Sequence, residues 1–405
     1  MSVYAYLDSF QVPGGGAGTT IVRTGYGFKP KVVIATHVGM SSGTSSIATA
    51  SLQSGFGWAT SPDTGNDHAS VFLSDVHNAD APAPVYSGQA SNLVNFQPTG
   101  SLLLQSFNSD GLTLVVSGSA ISGSPQLRLL ALGGPGITHV KNHFIAIPSS
   151  TTSLAYTGVG FKPNAAIFTQ ISGASGSTVI NTASFGAAAG PSGSIVNKAV
   201  MVEARNSLGD AGLSALTSRG YLSADSIHLR KNFSVTMQGR VTSWDTDGFT
   251  MSWATNATLS TSQTYVLLMR TVPDTLFSLH EVNTATSTGT DINITGVSKP
   301  SFGMLYSTKT SSNPTSGLEL SGGFFTAAAN YASLYTSANG TGSSSVQVGI
   351  DFEDCLQFNP DQMRVNSLNS NGVTFRMSSA AASAYPAWVL LGGTSVKPRG
   401  SPLIF

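Results

Sequence analysis

The amino-acid sequence predicts an all-β protein: three tandem antiparallel β-sandwich domains, jelly-roll-like, with little helix. Three observations carry that expectation. Four short blocks recur in the same order three times along 405 residues. One block alternates large apolar with small or polar residues, the period of a strand with one face on a core. Gly- and Pro-rich breakers punctuate the chain, and long helical periodicity is nearly absent.

The first block is Thr24-Gly25-Tyr26-Gly27-Phe28-Lys29-Pro30, repeated as Thr157-Gly158-Val159-Gly160-Phe161-Lys162-Pro163 and, altered, as Thr295-Gly296-Val297-Ser298-Lys299-Pro300. It reads as a turn whose proline pre-sets φ before a strand, Val32-Val33-Ile34 or Ala165-Ala166-Ile167-Phe168. The second block is Phe56-Gly57-Trp58-Ala59, then Phe185-Gly186-Ala187-Ala188, then a weaker Gly323-Phe324-Phe325-Thr326.

The third block places Asp110-Gly111, Asp247-Gly248 or Asn371-Gly372 before an alternating run. Leu112, Leu114 and Val116, then Phe249, Met251 and Trp253, then Val373, Phe375 and Met377 fall on one face. Gly with Asp or Asn suits a tight hairpin, because these residues tolerate positive φ. Ser101 to Phe107 is the expected partner across the first such turn.

The fourth block, Leu129 to Gly134, Tyr265 to Arg270 and Trp388 to Gly393, is apolar on successive residues and predicts a strand buried on both faces. Domain boundaries are expected at 1–135, 136–272 and 273–405, the last with a short tail. The linkers are short, so the domains should pack together rather than swing. Val202 to Leu222 is the one stretch that reads as a short helix, and Asn330 to Tyr335 is ambiguous.

Charged residues are 9% of the chain, with 19 basic and 19 acidic, against about a quarter in an ordinary globular protein. An apolar fraction of 40% and zero net charge argue against disorder. They point to an uncharged, hydroxyl-rich surface without the basic field that nucleic acid or an anionic membrane requires. Cys355 is the only cysteine, which excludes an intrachain disulfide and a thiolate zinc cluster. The start lacks the pattern of a secretory leader, and no run reaches the length of a membrane span, so synthesis in a cytoplasm is expected.

Catalytic patterns are sparse, and the expectation is a non-enzyme without cofactor. Gly39-Met40-Ser41-Ser42-Gly43 fits the nucleophile elbow G-x-S-x-G but sits in a Ser/Gly-rich stretch with no following helix. Asp63, Asp67, His68, Asp75, His77 and Asp80 form the densest group of metal-ligating types. Their spacing matches neither an EF-hand nor a zinc signature, and the preferred reading is a polar loop beside a strand from His68 to Ser74. Asp351, Glu353 and Asp354 read as a solvated edge face rather than a glycosidase pair, which needs carboxylates opposed across a cleft. Trp253 and Trp388 occupy core positions; Trp58 is the least constrained by the pattern and is the best candidate for an exposed aromatic, suited to stacking on a sugar.

Taken together, the series TGxGFKP plus strand, FG, DGFTMSW and LALGG resembles repeat domains in virion structural proteins of tailed bacteriophages, usually tail or appendage components. That resemblance implies a non-enzymatic virion protein in tail, baseplate or fibre, assembled in the host cytoplasm and contacting other virion proteins. The tandem copies suit a homo-oligomer, and the resemblance carries over no catalytic residues. Capsid decoration and a host-glycan-binding adhesin are the alternatives.

Overall fold

The computed structural model describes residues 2–38, 46–49, 51–61, 67–76, 85–96, 100–121, 125–148, 150–173, 180–205, 217–231, 234–256, 263–296, 299–308, 318–327, 330–338, 346–351, 354–357, 362–380 and 385–393. Among them the regular structure is all β. The first repeat supplies β1 (Tyr4–Gln11), β2 (Thr20–Thr24), β3 (Pro30–Val38), β4 (Ser46–Thr49), β5 (Ser51–Ala59) and β6 (His68–Val76). It continues with β7 (Val85–Gln89), β8 (Val94–Phe96), β9 (Gly100–Asn108), β10 (Gly111–Ser117) and β11 (Gln126–Gly133).

The second repeat begins with β12 (Ile137–Ile145), β13 (Thr152–Tyr156), β14 (Ala165–Gly173), β15 (Ile180–Ala189) and β16 (Val196–Arg205). It ends with β17 (Thr217–Ser223), β18 (Ile227–Lys231), β19 (Ser234–Asp245), β20 (Gly248–Asn256) and β21 (Gln263–Thr271). The third starts with β22 (Phe277–Asn283), β23 (Asp291–Thr295), β24 (Phe302–Thr308), β25 (Leu318–Ala327) and β26 (Asn330–Ala338). It closes with β27 (Val346–Asp351), β28 (Leu356–Gln357), β29 (Gln362–Asn369), β30 (Gly372–Ser379) and β31 (Pro386–Gly392).

One strand order is written three times. Large sheets run β1-β11-β3-β5-β6-β7, β12-β21-β14-β15-β16-β17 and β22-β31-β24-β25-β26-β27. Small sheets run β2-β10-β9-β8, β13-β20-β19-β18 and β23-β30-β29-β28. The described parts of the stretch read as a helix are instead strand, the end of β16 and most of β17, which pair antiparallel; residues 206–216 lie outside the described set. Val202, where the stretch begins, closes a run of four successive buried residues in β16, Ala199 to Val202, which a strand covered on both faces requires and an amphipathic helix does not. The ambiguous Asn330 to Tyr335 lies in β26.

Each large sheet has two buried faces. In β11, Leu127, Leu129 and Ala131 pack toward the small sheet of their own repeat, while Leu130 and Leu132 join a core common to all three repeats. In β21, Val266 and Leu268 face their small sheet and Tyr265, Leu267 and Met269 the common core. Trp388 and Leu390 of β31 point to the common core, and Val389 and Leu391 to the third repeat's own. The successive apolar residues of the fourth block are thus divided between two cores by the strand's period of two.

At the centre Phe56, Phe185 and Tyr306, one ring per repeat, stand 5.2 to 6.0 Å apart. Register makes Phe56 and Phe185 equivalent to Gly322, and Thr36 and Thr169 equivalent to Tyr306. The third repeat has therefore moved its ring to the neighbouring strand, and a Cβ at Gly322 would lie 2.5 Å from that ring. Hydrogen bonds tie the repeats further: Trp58 Nε1 donates to Asn142 Oδ1 at 2.9 Å, and Trp388 Nε1 to the Phe185 carbonyl at 3.0 Å. Strand β4 of the first repeat pairs antiparallel with β27 of the third, joining first and last copies through backbone hydrogen bonds.

Candidate functional site

The repeated motifs explain each other. Gly25 and Gly27, at φ 87° and 72°, turn their N–H groups onto the Asp110 carboxylate, with the Gly25 bond at 3.0 Å. Gly158 and Gly160, at 80° and 86°, do the same to Asp247, with the Gly158 bond at 2.9 Å. In the first two repeats the first block is thus a clamp on the hairpin turn of the third, tying the end of β2 to the β9–β10 turn and the end of β13 to the β19–β20 turn. These bonds hold the Asp247 carboxyl below its ordinary value.

The residues singled out in the sequence do not converge on a chemical centre. Trp58, expected to be exposed, is fully buried in the common core, edge-on to Phe56. The β5 strand is covered on both faces, which a single-repeat pattern does not reveal. His68 is buried and its Nε2 accepts from the Leu104 N–H at 2.9 Å, a structural bond that occupies one of its two ring nitrogens. The Asp67 carbonyl accepts from the Thr60 N–H at 2.9 Å. Asp63, His77, Asp80, Glu353 and Gly39 to Gly43 lie outside the described residues, as do the side chains of Asp75 and Asp351. Among the described residues no group of three or more His, Cys, Asp or Glu is placed to hold a metal ion. Asp354, read as part of a solvated face, is buried and accepts from Ser378 Oγ at 2.6 Å.

Buried histidines give the fold a defined pH response. Burial drives the His37 pKa from the ordinary 6.5 to about 3, and burial also lowers His143 and His280. Between about pH 3 and 6.5 the unfolded chain binds protons that the folded chain refuses, so stability is full above 6.5 and declines as pH falls. Asp225, Asp247 and Asp291, held below the ordinary 3.8, add their losses only further down, as pH falls through their folded values. The melting temperature should therefore drop between pH 7 and pH 4. His37→Gln should flatten that slope whatever its effect at neutral pH; an unchanged slope would refute the assignment.

The polar constellation that sequence reasoning missed lies on the second repeat. A cavity of about 660 Å³ is lined by Ser223, Asp225, His228, Gln238, Arg240 and Ser252, with Leu222, Ala224 and Ala254 around them. Strand alternation builds it: Met237, Val241, Met251 and Trp253 enter the repeat's own core, which turns Gln238, Arg240 and Ser252 the other way. Asp225 accepts from Ser223 Oγ at 2.6 Å and Gln238 Nε2 at 3.0 Å. Arg240 Nε stands 3.5 Å from its other oxygen, and His228 Nδ1 stands 3.7 Å away. Burial pushes the Asp225 carboxyl up, but the nearby His228 ring, the Ser223 hydroxyl and the Arg240 charge outweigh it and hold it below its ordinary value.

A repeat-wise reading would have exposed this set. By strand register, Asp225, Gln238 and Arg240 correspond to Asp354, Gln362 and Arg364 in the third repeat. In the first they correspond to Asn92, Ser101 and Leu103. Two copies thus carry carboxylate, amide and guanidinium at the same places, and one copy carries no charge there.

Comparison with protein-family models returns no match, and no curated protein matches the chain in sequence. Among solved structures, the LG1-3 region of the laminin alpha2 chain is similar at 9% identity and a TM-score of 0.10, covering 98% of this chain and 96% of that one. A likeness that loose carries no argument.

Proposed function

We propose that this protein is a non-enzymatic structural component of a bacteriophage virion, acting through surface contacts in the tail, baseplate or fibre. The observation that supports this reading most is the common core. Three copies of one fold enclose it, and the large sheets are spent on holding the copies together. The small sheets remain as three related outer faces. A single chain built this way delivers three similar faces in fixed ratio and geometry, the property that a symmetric particle uses. A neutral surface supports the same reading, since it limits non-specific adhesion to charged polymers during assembly.

Capsid decoration uses the same geometry and stands as the second reading. Immunogold electron microscopy of purified particles separates them: label on the tail or its appendages is the expected result. Label confined to the head selects decoration, and particles without label, with the protein left in the soluble fraction, overturn both.

A further inference from the structure

We propose that the cavity on the second repeat binds an uncharged polyhydroxylated ligand, of the chemistry of a neutral mono- or disaccharide. This goes beyond the assembly reading and does not depend on it. The cavity's volume, about 660 Å³, lies in the range of small-molecule sites.

The side chains decide the chemical class. Asp225 is already engaged by Ser223, Gln238 and Arg240, which leaves it poorly placed to coordinate a cation. Arg240 brings one positive charge, and Asp225 balances it, so an anion finds no net attraction. What the wall offers instead is donors and acceptors side by side. Arg240 has five N–H groups; Nη2 donates to the Ala224 carbonyl at 3.2 Å and Nε faces Asp225. The remaining N–H groups, with the Ser252 hydroxyl and the Gln238 carbonyl, suit a ligand that donates and accepts at many points without charge. Leu222, Ala224 and Ala254 add apolar surface for the C–H face of a sugar ring.

The polar groups are also held in place before any ligand arrives. Gln238 Nε2 is shared between Asp225 at 3.0 Å and His228 Nδ1 at 3.2 Å, and the His228 backbone N–H donates to Ser184 Oγ at 3.2 Å. Groups fixed in this way lose little freedom on binding. The first repeat, with Asn92, Ser101 and Leu103 in the matching places, lacks the charged pair that organises this wall.

Saturation-transfer-difference NMR on the full chain tests the proposal. The probes are methyl glycosides of glucose, galactose, mannose and N-acetylglucosamine, with maltose and cellobiose, against sialic acid, glucuronate and inorganic phosphate. At least one neutral sugar should give signal, and Arg240→Ala and Gln238→Ala should weaken its binding at least about tenfold, the loss of a hydrogen bond to a charged or rigidly held group. Ser252→Phe, which fills the cavity without removing the Asp225 network, should abolish it and decides the matter if Arg240→Ala melts early. Silence from every neutral sugar, signal from the charged probes alone, or binding that survives Ser252→Phe overturns the proposal.

Discussion

Phe185→Ala is expected to destabilise the whole chain by about 3–5 kcal/mol, within a single unfolding transition. The ring stacks on Tyr306 at 5.2 Å with an interplanar angle of 4°, meets Phe56 edge-on at 6.0 Å, and its own carbonyl accepts the Trp388 indole N–H. Truncation opens a void lined by all three repeats, and the dense packing around it can relax only partly. Were the repeats independent domains, the loss would fall on one of three transitions. Calorimetry combined with tryptophan fluorescence separates these outcomes, because Trp58 and Trp388 report the common core while Trp244 and Trp253 report the second repeat's own. A shift confined to one transition among several would refute the shared centre.

Gly248→Ala carries the second large effect, about 3 kcal/mol, combining backbone strain and overpacking. Gly248 has φ 149°, and a Cβ there would stand 1.9 Å from the Tyr156 carbonyl oxygen across the small sheet. The matching Cβ at Gly111 would meet the Arg23 carbonyl at 2.0 Å, and at Gly372 the Ile294 carbonyl at 1.9 Å. One close approach of backbone explains why all three hairpins keep glycine. Gly289→Ala is the control: its φ is 80° but open space surrounds it, so only about 1 kcal/mol of strain is expected. Equal losses in urea denaturation would refute the steric account.

Much of the architecture was legible because local chemistry speaks for itself. Alternation in Phe249, Met251 and Trp253 marked a half-covered strand, and Asp-Gly marked the hairpins, since both depend on residues near in sequence. The Thr-Gly-x-Gly block was visible as a turn, but its partner was not: the clamp joins Gly158 and Gly160 to Asp247 across some ninety residues. Trp58 failed for a similar reason. Its covering, Asn142 of the second repeat and a core built from all three copies, comes from elsewhere in the chain.

By itself the sequence determined the strands, their turns, and the threefold recurrence of one β-sandwich pattern, because period, breakers and turn residues act over a few positions. Only the tertiary structure decided that the three copies share one core, that the third copy replaces a lost phenylalanine with Tyr306 over Gly322, and that Asp225, Gln238 and Arg240 meet around a cavity. Those outcomes depend on which faces are buried against distant strands, and burial is a property of the packed chain rather than of any window within it.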